Sequence, residues 1–131
     1  MTIVVGLVAT PEGRAALARA AQEAVIRSVP LVLVETGRAA PDAESSAAME
    51  AVVAEVTAEV SAAGLGLERR APGGKDLAEQ LVGVAEEVDA SCLVIGLRRR
   101  SPVGKLILGS SAQRILLDAT CPVLTVKPPS R

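Results

Sequence analysis

The stretch that decides the fold is "TIVVGLVATPEGRAALARAAQEA", residues 2–24. Its first part, residues 2–8, is almost entirely apolar and rich in β-branched side chains, the pattern of a strand covered on both faces of a parallel sheet. Thr10, Pro11 and Glu12 follow, and a Thr cap, a Pro in the first helical position and an early acid predict a helix start. The stretch therefore predicts one buried strand followed directly by one amphipathic helix.

The same alternation continues along the chain. Apolar runs predict further strands at residues 31–35, 65–69, 92–96 and 122–126, and the run at 65–69 is only half apolar, as in an edge strand. Apolar residues at helical spacing predict a helix between each pair of strands, and Gly64 is expected to end the second helix. Strands that alternate with helices predict an α/β fold: a single open, doubly wound, five-stranded parallel sheet with four helices on both faces.

The composition limits the chemistry that the chain can perform. Its 131 residues fit one domain, so we expect residues 1–131 to form a single domain. Phe, Tyr, Trp and His are absent, and the lack of histidine excludes most hydrolytic triads and zinc sites. Cys92 and Cys121 lie in apolar runs without Cys-x-x-Cys spacing, so we expect two buried, reduced thiols and no metal or redox site.

The charge and hydropathy patterns bear on partners and location. The formal net charge of −1 provides no field that would attract nucleic acid or an anionic membrane. No apolar run approaches the roughly 20 residues that span a bilayer, and "MTIVVGLVAT", residues 1–10, lacks the basic start of a signal peptide. We expect a cytoplasmic protein with neither a nucleic-acid nor a membrane partner.

The loop after the fourth predicted strand leads into the last helix with the sequence "GLRRRSPVGKLILGSSAQRILL", residues 96–117. Ligands of open parallel sheets bind beyond the carboxyl ends of the strands where the strand order reverses, so the loops after strands one and four are candidates. Gly109, Ser110 and Ser111 would place free backbone N–H groups and two hydroxyls at a helix N-terminus. This arrangement predicts an anion site.

Other interpretations of this loop differ in how well they fit. A Walker A phosphate loop requires Gly and Ser or Thr where this chain has Arg99 and Leu106, so that motif is excluded. Single-stranded nucleic acid is usually bound by basic grooves with aromatic platforms, and the chain has no aromatic residue. Two simpler interpretations stay open: Arg98, Arg99 and Arg100 lie in a solvated loop, and the serines only cap the last helix.

The segment "VIGLRRRSPVGKLILGSSAQRILLDATCPVLTVK", residues 94–127, resembles the C-terminal third of the universal stress protein family, whose nucleotide-binding members carry Gly-x-x-Gly followed at a fixed distance by Gly-Ser or Gly-Thr. Gly96 and the Gly109-Ser110 pair match the outer frame of that motif. The stretch that opens the chain resembles the family's first strand and helix, so the resemblance covers essentially the whole chain. It implies strand order 3-2-1-4-5 and a homodimer through the edge of the last strand.

The resemblance also implies a site for an adenine nucleotide, with ATP as the expected nucleotide, in the crevice between the loops after strands one and four. The chain departs from the family pattern at two positions: Val8 stands where binding members usually carry an aspartate that contacts the nucleoside, and Arg99 replaces the second glycine. Arg99 could contact a phosphate through its guanidinium instead. The site residues carried over are Leu7, Val8, Val34, Ile95, Gly96, Arg98, Arg99, Gly109, Ser110 and Ser111, with Val34 and Ile95 walling the base pocket.

The function implied is regulatory, in a stress response, with Mg²⁺ held by the nucleotide's phosphates and water because no acidic cluster is evident. The alternative is a family member that keeps the fold and the dimer edge as an interaction module and binds no nucleotide, which Val8 favours. We expect no enzyme and no catalytic residue, since no positioned general base is evident; Glu12 and Glu35 are the nearest acids, and slow ATPase activity stays open. The sequence does not identify a protein partner.

Overall fold

A five-stranded parallel sheet forms the centre of the computed structural model, which describes residues 1–74, 76–100 and 105–128, with the backbone alone at 99, 100 and 105–107. The strands are β1 (Thr2–Leu7), β2 (Leu31–Glu35), β3 (Leu67–Arg70), β4 (Ala90–Gly96), β5 (Arg98–Arg100), β6 (Lys105–Ile107) and β7 (Val123–Val126). The central sheet has the order β3-β2-β1-β4-β7 with every pair parallel. The predicted order 3-2-1-4-5 is confirmed, with β7 as the fifth strand of the sheet.

Four helices connect these strands: α1 (Pro11–Arg27), α2 (Ala43–Ala62), α3 (Leu77–Glu87) and α4 (Ser110–Asp118). The predicted start of α1 is confirmed, since the Thr10 hydroxyl accepts a hydrogen bond from the Gly13 N–H at 3.0 Å and Pro11 is the first helical residue. Gly64 follows the end of α2 with φ 75°, a left-handed conformation that glycine adopts without strain. Local sequence signals therefore set both of these helix boundaries.

The sheet is covered on both faces by aliphatic side chains. Side chains alternate along a strand, so Ile3 and Val5 of β1 pack with α1 and α2, whereas Val4 packs with α3 and α4. All three are at most 1% exposed, and β2 and β4 are buried on both faces in the same way. With no aromatic side chain available, close packing of Val, Leu, Ile and Ala supplies the core.

Two expectations from the sequence are corrected. Residues 96–109 were expected to form a plain loop, but β5 and β6 pair as a short antiparallel hairpin in which Arg99 lies opposite Leu106, because adjacent segments of this length can close a ladder of their own. Cys121 was expected to be buried like Cys92, but it is partly exposed because it precedes the edge strand β7. Within the described residues, no helix combines the length and apolarity needed to cross a membrane.

Candidate functional site

A cavity of about 410 Å³ opens at the carboxyl ends of β1 and β4. Successive strands run outward from β1 toward β3 on one side, and the chain then returns to β4 on the other, so the cavity lies where the strand order reverses. Its wall combines the segment after β1, the first turns of α1 and α4, the start of α3 and the end of β4. The fold therefore forms a crevice where the sequence placed the candidate site.

Most of the predicted site residues meet at this cavity. They come from segments that are distant in sequence, and parallel strands bring their carboxyl ends to one edge of the sheet. The predicted residues in its lining are Val8, Ile95, Gly96, Arg98, Gly109, Ser110 and Ser111. The side chain of Arg99, which was also predicted, lies outside the described residues.

Leu7 and Val34 are corrected, since neither lines this cavity. Leu7 is adjacent to Val8 in β1 and so faces the opposite side of the sheet, where it contacts the core beneath α1 and α2 and lines a second cavity. Val34 faces the correct side but is 0% exposed, in the same apolar cluster as Ala78 and Leu81 of α3. Helix α3 seals the end of β2, which the sequence pattern did not reveal.

The N-terminus of α4 differs from the other three helix starts. Helices α1, α2 and α3 each begin with a side-chain cap, from Thr10, Asp42 and Asp76, and each has an acid in its first turn. Helix α4 begins after Gly109 with no side-chain cap bond and no acid in its first turn. Its first N–H groups and the positive end of its dipole therefore face the cavity without a negative group supplied by the helix itself.

Arg98 adds a second positive group at the same place. A β-carbon built on Gly109 would lie 3.2 Å from Nη2 of Arg98, so the guanidinium lies directly against the backbone where α4 begins. None of the ion pairs or side-chain hydrogen bonds found in the described part of the chain involves Arg98. A cation beside a helix N-terminus is unfavourable by itself, and an anion bound between them would offset the repulsion.

Glycines bring the start of α1 against the sheet. A β-carbon on Gly96 would overlap the carbonyl oxygen of Glu12, and a β-carbon on Gly13 would overlap the carbonyl oxygen of Val8. Gly96 was carried over as a nucleotide-site residue, and the structure shows that its backbone passes close to the backbone of the first α1 turn where both line the cavity.

Several lining residues were not among the predicted site residues, although Glu12 was named as one of the nearest acids. Thr10 and Glu12 of the first α1 turn and Leu77 and Leu81 of α3 contribute to the cavity, as does Arg38, which follows β2. The sequence did contain a signal for Arg38. A cation shortly after a buried strand lies at the same end of the sheet as the other candidate residues. The convergence of α1 and α3 depends on packing that no local pattern encodes.

A second cavity, of about 320 Å³, lies between the ends of β1 and β2 and the start of α2. Arg69 crosses its wall and pairs with Glu35 at 3.1 Å and with Glu50 at 2.8 Å. The guanidinium lowers the pKa of Glu50, while the two carboxylates raise the pKa of Arg69. Arg38 lines both cavities, so it stands at their shared boundary.

Metal binding would require a cluster of ligating side chains. In the described ranges, no group of three or more His, Cys, Asp or Glu side chains is placed to hold a metal ion. Burial raises the pKa of Cys92, which keeps its thiol protonated and poorly suited to ligation. The cavity thus offers backbone N–H groups, hydroxyls and guanidiniums, which recognise anions.

Comparison with known proteins agrees with this arrangement. The model of the universal stress protein family matches residues 1–127. A universal stress protein of Mycolicibacterium smegmatis is 42% identical over 126 residues, covering 96% of this chain and 97% of that protein. The solved structure of a universal stress protein in complex with cAMP superimposes with a TM-score of 0.70 at 28% identity, over 98% of each chain.

A second solved structure, the universal stress protein from Archaeoglobus fulgidus in complex with dAMP, superimposes with a TM-score of 0.68 at 28% identity, over 97% of this chain and 98% of that one. The family match, the identity to the mycobacterial relative and the five-stranded fold all agree with the motifs of the last third of the chain. The chain belongs to the universal stress protein family.

Proposed function

We propose that this protein is a stress-response regulator that binds an adenine nucleotide in the 410 Å³ cavity. The observation that carries the proposal is the start of α4, which has no side-chain cap and where the Arg98 guanidinium lies against Gly109. A phosphate there would accept hydrogen bonds from the helix N–H groups and pair with the arginine. The apolar side chains of Val8 and Ile95 would then face the nucleoside.

The relatives support an adenine nucleotide as the ligand class, since the two superimposed structures hold cAMP and dAMP. ATP is the nucleotide we propose, with Mg²⁺ carried by its phosphates and water. The cavity lining includes one carboxylate, from Glu12, among the described residues, so the protein would contribute little to the metal's coordination.

We propose that the bound nucleotide regulates the protein and is not turned over. Glu12 is the carboxylate nearest the site, whereas Glu35 lines the second cavity and is paired with Arg69. A turnover assay that compares the wild type with Ser110→Ala checks this part of the proposal. Equal rates near background are expected, and a wild-type rate that falls in the variant would show that the protein is an ATPase.

The binding proposal is tested by thermal unfolding and calorimetry with ATP. A ligand present at about 100 times its dissociation constant raises the free energy of unfolding of the protein by about 2.7 kcal/mol. Arg98→Gln removes a charge-assisted contact and should weaken binding by about tenfold or more. Arg114→Gln is the matched control, because it removes the same charge from α4 where Arg114 pairs with Asp76 outside the cavity lining. Absence of any shift with millimolar ATP would overturn the proposal.

A homodimer through the β7 edge is the second part of the proposal. β7 pairs with β4 on one side, and its sequence Val-Leu-Thr-Val leaves an apolar edge, whereas the opposite edge strand β3 carries charged side chains that discourage pairing. Leu117 of α4 is 84% exposed.

The protein would act in the cytoplasm, where two unbridged cysteines fit a reducing compartment.

An interaction module without a nucleotide is the alternative that Val8 favours. Val8 lines the cavity at the position of the family's usual aspartate, and its side chain cannot accept a hydrogen bond from a ribose hydroxyl. Dimerisation of the wild type together with no thermal response to any adenine nucleotide would favour this alternative.

A further inference from the structure

We propose that Arg38 makes the cavity selective for adenine nucleotides that carry, besides the 5′ phosphate, a second and separate phosphate on the 2′ or 3′ oxygen of the ribose. This inference rests on the adenine-nucleotide binding proposed above; within that class it ranks ribose-phosphorylated nucleotides above those, such as ATP, whose ribose hydroxyls are free. Arg38 lines the main cavity from the segment that follows β2, and Arg98 lines it from the segment that follows β4. The cavity thus has two separate cationic positions, and the uncapped start of α4 lies at one of them.

The two arginines stand on opposite sides of β1. The sheet order places β1 between β2 and β4, and neighbouring strands are about 4.8 Å apart, so the ends of β2 and β4, from which the two arginine segments leave the sheet, are roughly 10 Å apart. Two phosphates on opposite sides of one ribose span a comparable distance within reach of long guanidinium side chains. Arg98 and α4 would hold the 5′ phosphate, which leaves Arg38 facing the hydroxyl edge of the sugar.

The segment that carries Arg38 is anchored to the cavity floor. The Gln80 side chain, 6% exposed, donates from Nε2 to the Glu35 carbonyl at 2.8 Å and holds the end of β2. The Thr36 hydroxyl donates to the Leu7 carbonyl at 3.3 Å, which ties this segment to the residue before Val8, and it accepts from the Arg38 N–H at 3.4 Å. The backbone of Arg38 is therefore held beside the end of β1.

The side chains at this end of the cavity suit an anion better than a free hydroxyl. Recognition of a ribose hydroxyl in dinucleotide-binding folds uses a carboxylate acceptor, and an arginine replaces it where the ribose is phosphorylated. Val8 supplies no acceptor, and none of the ion pairs in the described residues uses Arg38. Val8 is apolar and Arg38 has no ion pair among the described residues, so the two together correspond to a site for a phosphorylated ribose.

The test compares isomers that carry the same number of phosphates. Calorimetry measures the wild type with ADP, adenosine 3′,5′-bisphosphate and adenosine 2′,5′-bisphosphate at fixed ionic strength. We expect at least one of the two ribose-phosphorylated isomers to bind about tenfold or more tightly than ADP, the size of one charge-assisted contact. The preferred compound identifies whether the second phosphate is at 2′ or at 3′.

Two variants assign the preference to Arg38. Arg38→Gln should abolish the preference, so that ADP and its two isomers bind with equal affinity, whatever change in affinity is common to all three. Val8→Asp should shift the preference toward ADP, because a carboxylate would repel the ester and accept from a free hydroxyl. Equal binding of ADP and its isomers by the wild type, or a preference that survives in Arg38→Gln, would overturn the inference alone. Binding of no nucleotide by folded wild type would overturn the proposed function and this inference with it.

Discussion

Gly96 of β4 lies so close to Glu12 of α1 that a β-carbon at residue 96 would overlap the Glu12 carbonyl oxygen. The obstacle is backbone at the start of a helix, which cannot move aside as a side chain can. Because both residues also line the main cavity, the packing of α1 on β4 and the shape of the candidate site depend on the same contact.

Gly96→Ala is expected to destabilise the protein by about 1 to 3 kcal/mol, the usual cost of overpacking. Chemical denaturation measures the change. Gly83→Ala is the matched control, because nothing lies within 4 Å of a β-carbon there and residue 83 is inside α3, where alanine should stabilise by up to about 1 kcal/mol. Equal effects of the two substitutions would contradict the close contact.

Asp76 should make stability depend on pH in the acid range. Its carboxylate accepts from the Glu79 N–H at 2.9 Å and from Arg114 at 2.7 Å, and these contacts, the backbone bond foremost, lower the pKa of Asp76. A carboxyl whose pKa is lowered in the folded state stabilises the folded protein at pH values above its ordinary pKa. That stabilisation is lost as the pH falls through the lowered pKa.

Asp76→Asn keeps a capping side chain but removes the charge, so its deficit in unfolding free energy should be present near pH 6 and should shrink as the pH falls below the ordinary pKa of an aspartate. Urea unfolding at a series of pH values measures this. Arg114→Gln should reduce the pH dependence of the unfolding free energy less than Asp76→Asn does, since the hydrogen bond from the Glu79 N–H to Asp76 is retained. A deficit that is the same at every pH would contradict the role assigned to the charge.

The two cysteines should differ in reactivity. Cys92 is 1% exposed, Cys121 is partly exposed, and burial raises the pKa of both thiols. A disulfide reagent should therefore label Cys121 slowly in the native protein and Cys92 only when the protein unfolds, because the thiolate is the reactive form. Cys121→Ser should remove the native-state reaction. Stoichiometric labelling of that variant without unfolding would show that Cys92 is accessible.

The proposed dimer edge can be tested at Thr125. Leu93 donates from its N–H to the Pro122 carbonyl, and Leu97 donates likewise to the Val126 carbonyl, so alternate residues of β7 pair with β4 and the backbone of Thr125 faces the free edge. Thr125→Pro removes an outward N–H and should shift the mass measured by sedimentation to that of a monomer. Unchanged circular dichroism controls for folding, and a dimer that survives would exclude this edge.

Much of the fold could be predicted because its signals are local. The buried run in β1, the cap at Thr10 and the left-handed glycine at Gly64 each depend on a few consecutive residues. The hairpin of β5 and β6 was missed, since its short strands carry a basic run that resembles a solvated loop. Residue 8 was identified from the family motif alone. The Gly109-Ser110 pair was identified from the same motif and from the predicted start of the last helix.

The sequence by itself determined the α/β alternation, the buried strands and the helix start that faces the cavity, because periodicity and capping act over one or two turns of chain. Only the tertiary structure decided that α3 seals Val34 away from the cavity and that Arg38 joins its wall. These placements depend on how three segments far apart in sequence converge at one sheet edge. Such convergence depends on strand order and on how the helices pack against the sheet. Neither can be inferred from the pattern of a single stretch of residues.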